Sequence, residues 1–271
     1  MMTNQTIDKL HGLNLRAMAE AISEQIANPE FASLSFEERL GMAVDRECDA
    51  RASRSLARKL RDAKLRQQAS VEDIDFRAQR GLDKAATLSL FECNFIRAHS
   101  NVIITGPTGV GKTYLACALA NKACRLDFTA RYFKTSTLLS EIAIARGDGS
   151  YPSLMRRLEH TSLLILDDWG LFGIDAEAAR DIFELLEDRT QRGSMVIVSQ
   201  ATVECFHDLI AAPTIADAIL DRLVHNSHRI ELTGESMRKR LSPLASPVSR
   251  GASAADDPTA AFSCERESEA N

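Results

Sequence analysis

A chain of 271 residues, 45% hydrophobic and 26% charged, can bury the core of one large α/β domain and still carry a smaller appendage. Its net charge of −5 argues weakly against a nucleic-acid partner, although an overall charge can hide a local basic block. The chain begins without the apolar run of a signal peptide, no stretch has the length and apolarity of a membrane span, and the six cysteines include no C-x-x-C pair. We therefore expect a soluble cytoplasmic protein with no membrane partner.

Residues 1 to about 80 are predicted to form a small helical N-terminal domain. The apolar residues before Asn28-Pro29 recur at helical spacing, and this dipeptide interrupts the pattern. Ser35 is followed three residues later by Glu38, a capping box that begins the next helix. No proline occurs from Ser35 to Gln68, so we expect one long helix or two closely spaced helices there.

Four arginines in this zone recur at intervals of three, four and three residues, which places them on one helical face. We call them the arginine stripe: Arg51, Arg54, Arg58 and Arg61. Lys59, Lys64 and Arg66 widen the positive surface. Such a stripe can follow the phosphates of a nucleic acid without reading its sequence, and a simple solvated helix face is the alternative.

Residues 81–241 alternate short β-branched runs with helical patterns, which is typical of a parallel sheet with crossover helices. Most of the runs are continuously apolar, as expected for strands covered on both faces. The predicted strands are Asn101–Thr105, Ala130–Lys134, Leu163–Asp167, Met195–Ser199 and Arg229–Leu232. The predicted helices are Lys112–Leu126, Ser136–Ala145, Tyr151–Glu159, Ala176–Arg192 and Thr214–Val224. Residues 242–271 lack periodicity and are predicted to be a disordered tail.

A phosphate-binding loop follows the first predicted strand. It matches the pattern G-x-x-x-x-G-K-[ST] and comprises Gly106, Pro107, Thr108, Gly109, Val110, Gly111, Lys112 and Thr113. The glycines let successive backbone N–H groups point inward, and the N-terminus of the next helix adds partial positive charge. Lys112 supplies a cation for the β- and γ-phosphates, and the Thr113 hydroxyl is placed to coordinate Mg²⁺. The sequence therefore predicts a P-loop NTPase that binds ATP and Mg²⁺.

Two carboxylates end the third predicted strand, in the run Leu163–Asp168. At the C-terminal edge of a parallel sheet they are expected to lie beside the phosphate loop. Asp167 is predicted to bind Mg²⁺ and Asp168 to orient and deprotonate the attacking water, with the start of a turn as the alternative for Asp168. Ser199, which ends the fourth strand, is predicted to reach the γ-phosphate or the water, unless Ser199 and Gln200 only cap the following loop.

Three segments carry a family resemblance: the phosphate loop, Leu163–Gly170 and Pro213–Lys239. Together they resemble IstB, the AAA+ ATPase helper of insertion-sequence transposases, and the likeness extends from about residue 8 to 240. The resemblance implies a five-stranded parallel AAA+ sheet flanked by helices, with the Ser199 strand between the phosphate-loop strand and the Asp167 strand. It also implies an ATPase that assembles as a homo-oligomer on duplex DNA with ATP and stimulates a cognate transposase without cutting DNA itself.

The same resemblance assigns roles to two arginines. Arg222 corresponds to an arginine finger that reaches a neighbouring subunit's nucleotide, and Arg238 to a sensor-2 arginine that contacts its own nucleotide. A surface ion pair is the alternative for each. The chain also departs from most AAA+ proteins, because Asp168 stands where they carry Glu, which predicts slower hydrolysis. Only residues 233–241 follow the last strand before the tail, so a helical lid is predicted to be vestigial or absent.

Other functions remain open at this point. A DnaC-type helicase loader shares the architecture and is the main alternative, and the partner of the N-terminal zone distinguishes the two. A metabolic P-loop kinase would need an acceptor pocket and an arginine-rich lid, which the sequence does not indicate. A nucleotide-binding scaffold with negligible turnover is favoured only by Asp168 in place of Glu.

Overall fold

Within residues 2–78 and 80–237, the part of the chain that the computed structural model describes, there are ten α-helices and five β-strands. The helices are α1 (Met2–Gly12), α2 (Arg16–Ala27), α3 (Phe36–Ala63), α4 (Lys84–Leu90), α5 (Asn94–Arg97), α6 (Lys112–Arg125), α7 (Thr135–Asp148), α8 (Tyr151–Glu159), α9 (Ala176–Arg189) and α10 (Pro213–Val224). The strands are β1 (Asn101–Thr105), β2 (Ala130–Lys134), β3 (Leu163–Trp169), β4 (Ser194–Ser199) and β5 (Ser227–Glu231). Short 3-10 helices span Pro29–Ser33 and Val203–Cys205.

The chain divides into two compact units between Arg61 and Asp62. Residues 62–78, which the sequence analysis grouped with the N-terminal zone, therefore fall in the second unit. The functional domain limits near residues 80 and 241 stay predictions. The predicted tail, residues 242–271, lies outside the described residues.

Helix α3 begins within the predicted capping box, directly after Ser35. The backbone N–H of Ser35 donates to Oε2 of Glu38 at 2.8 Å, and the N–H of Glu38 donates back to Oγ of Ser35 at 3.2 Å. These reciprocal bonds satisfy backbone donors that the first turn of a helix leaves without partners. The prediction of a long helix is confirmed, and the helix ends at Ala63.

A buried carboxylate connects α3 to the start of α2. Oε2 of Glu47 accepts hydrogen bonds from the backbone N–H groups of Ala17 at 2.9 Å and Met18 at 3.2 Å. A carboxylate is favourable there because the first turn of a helix carries free N–H donors and partial positive charge. The Arg51 guanidinium, which donates to Glu47, lowers the pKa of that carboxyl, and backbone hydrogen bonds add to the effect.

The second unit is built on a parallel sheet with strand order β2-β3-β4-β1-β5. Every residue of β1 and β4 is buried, as expected for strands covered by helices on both faces. This order confirms the predicted fold class and places the Ser199 strand, β4, between β1 and β3. Because all five strands are parallel, their C-terminal ends meet at one edge, where ligands of such sheets bind.

The predicted elements of the second unit are all present; β1, β2 and α8 have the predicted ends, and the ends of the others are shifted. Strand β3 continues two residues beyond Asp167 and ends at Trp169. Strand β5 begins at Ser227, two residues before its predicted start. Helices α4 and α5 were not predicted, because with seven and four residues they are too short to show helical periodicity. No helix in the described ranges is both long and apolar enough to cross a membrane.

Candidate nucleotide-binding site

The phosphate loop joins the end of β1 to the start of α6. Three of its glycines have positive φ angles: 138° at Gly106, 88° at Gly109 and 101° at Gly111. Side chains rarely tolerate this conformation. At Gly106 there is also no space, since an added Cβ would lie 2.0 Å from the carbonyl oxygen of Leu232. The loop therefore requires glycine both for its conformation and for its packing.

Lys112 is the first residue of α6 and its side chain is buried at the centre of the loop. Its Nζ donates hydrogen bonds to the carbonyl oxygens of Gly106 at 2.6 Å and Pro107 at 2.8 Å. Burial lowers the pKa of the ammonium group, while the negative charges of Asp167 and Asp168 oppose that shift. A partly desolvated cation attracts anions more strongly than an exposed one, because less water screens its charge.

Asp167 is buried near the end of β3, where its carboxylate meets two neighbouring elements. Its Oδ2 accepts hydrogen bonds from Oγ1 of Thr113 at 2.9 Å and from the hydroxyl of Tyr132 at 2.7 Å. Burial raises the pKa of the Tyr132 phenol and the Asp167 charge adds to that shift, so the hydroxyl stays a donor. Tyr132 could not be predicted as a site residue from the sequence, because its role depends on β2 pairing with β3 and no motif marks it.

Asp168 follows in the left-handed conformation, with a φ of 57°, at a β-bulge near the end of β3. A residue with a side chain is strained there, and such strain is concentrated at functional sites. The N–H of Asp168 donates to Oδ1 of Asp167 at 2.9 Å. Its Oδ2 lies 3.8 Å from Nζ of Lys134 and 3.9 Å from Nη1 of Arg66, and the side chain is 26% exposed. The bulge thus separates a buried carboxylate from one that solvent can reach.

Ser199, at the end of β4, lines the pocket that lies beside the phosphate loop and the two carboxylates. Its hydroxyl donates to the carbonyl oxygen of Trp169 at 2.9 Å and accepts from the N–H of Ala201 at 3.1 Å. This is the loop-capping arrangement left open as the alternative, and the sensing role of Ser199 stays a prediction. Gln200 contacts the phosphate loop, since its Oε1 accepts a hydrogen bond from Oγ1 of Thr108 at 2.7 Å.

The loop and the carboxylates face a pocket of about 480 Å³. Part of its lining comes from residues 66, 67, 73–75 and 80, which we call the covering segment and which the sequence analysis did not assign to the site. Arg80 is buried there, with Nη1 donating to the carbonyl oxygen of Val110 at 3.2 Å and Nη2 to that of Asp75 at 3.1 Å. A Cβ at Gly111 would lie 2.7 Å from Nη1 of Arg80. The covering segment is therefore held against the phosphate loop.

One of the two arginines with a predicted nucleotide contact, Arg222, does not line this pocket. Arg222, in the last turn of α10, forms an ion pair with Glu187 on α9, and its guanidinium lies 4.8 Å from the centre of the Phe183 ring. Its Nη1 donates to the carbonyl oxygen of Ala218 at 3.0 Å. The described chain thus shows the ion-pair alternative, and the role across subunits stays a prediction. Arg238 lies outside the described residues.

The arginine stripe is exposed on α3 and lies in the N-terminal unit. Arg51 and Arg54 both pair with Oε1 of Glu47, at 2.8 and 3.2 Å, yet their side chains remain 56% and 55% exposed. Arg66, which the sequence analysis grouped with this surface, lies instead at the nucleotide pocket. Whether the stripe contacts DNA stays a prediction.

A family profile described as "IstB-like ATP binding protein" matches residues 8–245 of the chain. The chain belongs to this family. A relative named as the insertion-sequence ATP-binding protein y4pL, from Sinorhizobium fredii (strain NBRC 101917 / NGR234), is 51% identical over 239 residues, which cover 88% of this chain and 98% of that protein. Another, named for insertion sequence IS1162 of Pseudomonas fluorescens, is 43% identical over 201 residues, covering 74% of this chain and 87% of the relative. The predicted family is confirmed.

Solved structures share the fold of this IstB-like protein. DnaI has a TM-score of 0.54 at 20% identity, covering 61% of this chain and 92% of that one. AMPPCP-bound DnaA from Aquifex aeolicus has a TM-score of 0.54 at 18% identity, covering 65% of this chain and 54% of that one. Likeness at such identities shows the fold alone, which is of the AAA+ P-loop type.

Replacing Gly106 with Ala should abolish nucleotide binding and destabilise the second unit, because the Cβ would overlap the carbonyl oxygen of Leu232. Gly147→Ala is the matched control, since a Cβ there meets nothing within 4 Å on helix α7. The control should gain about 0.5–1 kcal/mol of stability. Urea unfolding and titration with a fluorescent ATP analogue measure both effects. Wild-type nucleotide affinity in Gly106→Ala would contradict the loop geometry.

Proposed function

We propose that this IstB-like protein is an ATP-hydrolysing helper of DNA transposition that assembles on duplex DNA with ATP and stimulates a cognate transposase. One observation carries the proposal: Lys112 of the phosphate loop and the Asp167–Thr113 pair line one pocket at the sheet edge. Relatives named as insertion-sequence ATP-binding proteins, which align with most of the chain, support the link to transposition. An ATPase that serves an insertion sequence accounts for both features.

The residues at the loop fit a nucleotide bound with Mg²⁺. Thr113 and Asp167 offer two oxygen ligands whose atoms lie 2.9 Å apart, and Mg²⁺ prefers oxygen ligands from one or two side chains together with phosphates and water. When bound, Mg²⁺ supplies positive charge that offsets the negative phosphates. Lys112 would bind the same phosphates from the loop, where backbone N–H groups and the start of α6 also attract negative charge.

Asp168 is the residue we assign to hydrolysis. Its carboxylate lies beside the metal-binding Asp167 but remains 26% exposed, so that a water molecule can reach it. A carboxylate in this position can accept a hydrogen bond from the water, orient it and take its proton during the attack on the terminal phosphate. Because Asp is one methylene shorter than Glu, we expect turnover to be slow.

Lys112→Ala should abolish productive ATP binding, since it removes the cation at the centre of the loop. Asp168→Asn should instead bind ATP but lose roughly 10²–10⁴-fold in hydrolysis rate, the usual contribution of a general base. Lys122→Ala, later on α6, is the control for Lys112 and should leave binding unchanged. Nucleotide titration and steady-state phosphate release measure the two steps. Normal turnover by Asp168→Asn would contradict the assignment of the base.

Duplex DNA is the proposed partner of the arginine stripe. Its guanidinium groups lie on one exposed helical face and can contact phosphates irrespective of base sequence. Glu47 offsets part of the charge of Arg51 and Arg54. A guanidinium has five N–H donors, so these pairs leave donors available for DNA phosphates.

Changing all four arginines of the stripe to Gln should weaken DNA binding about equally for unrelated sequences. The slope of log affinity against log salt concentration should fall by roughly 0.9 for each DNA phosphate that the variant no longer neutralises. A control variant carries the same number of Arg→Gln changes at exposed positions outside the stripe: Arg97, Arg125, Arg180 and Arg192. Fluorescence anisotropy at several salt concentrations measures both quantities. If affinity and slope match those of the control, DNA binds elsewhere.

Arg222 is proposed to act in a homo-oligomer that forms with ATP. It does not line the pocket of its own chain among the described residues, and Glu187 and Phe183 hold it between α9 and α10. In a neighbouring subunit's site it would exchange the Glu187 carboxylate for a phosphate. Arginine fingers of this kind contribute about 10³–10⁵ in rate in other NTPases.

Arg222→Ala should therefore bind ATP but hydrolyse it poorly, whereas Arg180→Ala, on the exposed face of α9, should be normal. Mixing Arg222→Ala with Lys112→Ala tests the action across subunits. Some interfaces in a mixed assembly combine an intact Arg222 with an intact phosphate loop, so ATPase activity should partly recover. Light scattering shows whether the two variants co-assemble. If they do and ATPase activity does not recover, Arg222 does not act across subunits and its role lies in its own subunit.

A further inference from the structure

A second cation faces the phosphate site from the covering segment. Nη1 of Arg66 lies 3.4 Å from Oδ2 of Asp167 and 3.9 Å from Oδ2 of Asp168, and the side chain is 40% exposed. Arg66 and Lys112 line the same pocket. Lys112 donates hydrogen bonds to two carbonyl oxygens of the loop, whereas Arg66 lies on the side of the two carboxylates. Lys134 also lies beside Asp168, with Nζ 3.8 Å from its Oδ2, but it does not line the pocket. Arg66 is therefore the cation that faces the pocket from the carboxylate side.

The backbone around Arg66 is anchored to the helix that begins at the phosphate loop. The Cys117 thiol is buried on α6, and burial raises its pKa while backbone hydrogen bonds from Gln67 and Arg66 oppose the shift. Ala69 and Ile74, further along the same stretch, are also buried. Arg66 thus belongs to a stretch with buried residues, and its side chain reaches both carboxylates from there.

The side chain of Arg66 retains the capacity to bind a ligand. A guanidinium has five N–H donors in a planar fork that suits phosphate oxygens. The contacts with Asp167 and Asp168 use only part of that set. Its positive charge is also favourable there, because a terminal phosphate close to Asp167 and Asp168 is repelled by two negative charges, and Arg66 adds to the compensation proposed for Lys112 and Mg²⁺.

We propose that Arg66 binds the terminal phosphate of ATP in its own subunit and so makes the site prefer ATP to ADP. The inference rests on the proposed function, since it requires ATP in this pocket. It adds a recognition residue that belongs to neither the phosphate loop nor the strand ends. With the phosphates nearer the ribose bound along the loop, Arg66 on the carboxylate side would contact only the last one.

Arg66→Gln tests this directly in the full-length protein. With Mg²⁺ present, its affinity for a non-hydrolysable ATP analogue should fall about 10-fold or more, the effect of losing a charge-assisted hydrogen bond to phosphate. Its affinity for ADP should stay within about twofold of the wild type. Arg66→Lys, which keeps the charge without the planar fork, should show a smaller loss for the analogue. Arg77→Gln is the matched control, an exposed arginine of the same stretch that does not line the pocket, and both affinities should be unchanged.

Titration calorimetry separates the outcomes, and retained ADP binding shows that the variant site is folded. A selective loss for the analogue supports the inference. Unchanged binding of both nucleotides overturns it, and so does an equal loss for both, because Arg66 would then not distinguish the terminal phosphate. If the wild type binds neither nucleotide, the proposed function itself is wrong. If the wild type binds ATP but Arg66→Gln shows no selective loss, only the inference about Arg66 is wrong.

Discussion

The nucleotide site depends on one buried carboxylate oxygen, Oδ2 of Asp167. Burying a negative charge is costly unless hydrogen-bond donors and opposite charges compensate for it. The compensation comes from Thr113 on α6, Tyr132 on β2 and Arg66 in the covering segment. One oxygen atom thereby connects three separate elements to the end of β3. The same oxygen is the one that the proposed function assigns to Mg²⁺.

The strand order explains how the phosphate loop reaches that oxygen. Strands β1 and β3 are not neighbours, because β4 lies between them. Two strand spacings separate them by about 10 Å. The loop follows β1, and Thr113 in the first turn of α6 makes the contact with Asp167. The bulge that follows then places Asp168 beside Asp167 with its side chain partly exposed.

Much of the fold and the centre of the site could be predicted from the sequence, because their signals are local. Apolar runs mark the strands, and the phosphate loop and the Asp167–Asp168 pair are contiguous motifs. Tyr132 and Arg66 could not be placed in this way. Tyr132 acquires its role only when β2 pairs with β3, and the position of Arg66 depends on the path of an irregular segment. In the sequence Arg66 was indistinguishable from the neighbouring basic residues of α3.

Manganese binding tests the central claim most directly, namely that Asp167 holds the metal of a bound nucleotide. Mn²⁺ takes the oxygen ligands that suit Mg²⁺, and electron paramagnetic resonance reports how much of it is free. With a non-hydrolysable ATP analogue, the wild type should bind Mn²⁺ together with the nucleotide, and Asp167→Asn should bind it about 10-fold more weakly or worse. Asp45→Asn, at an exposed position of α3, should match the wild type. Equal Mn²⁺–nucleotide affinity in the wild type and Asp167→Asn would contradict the account.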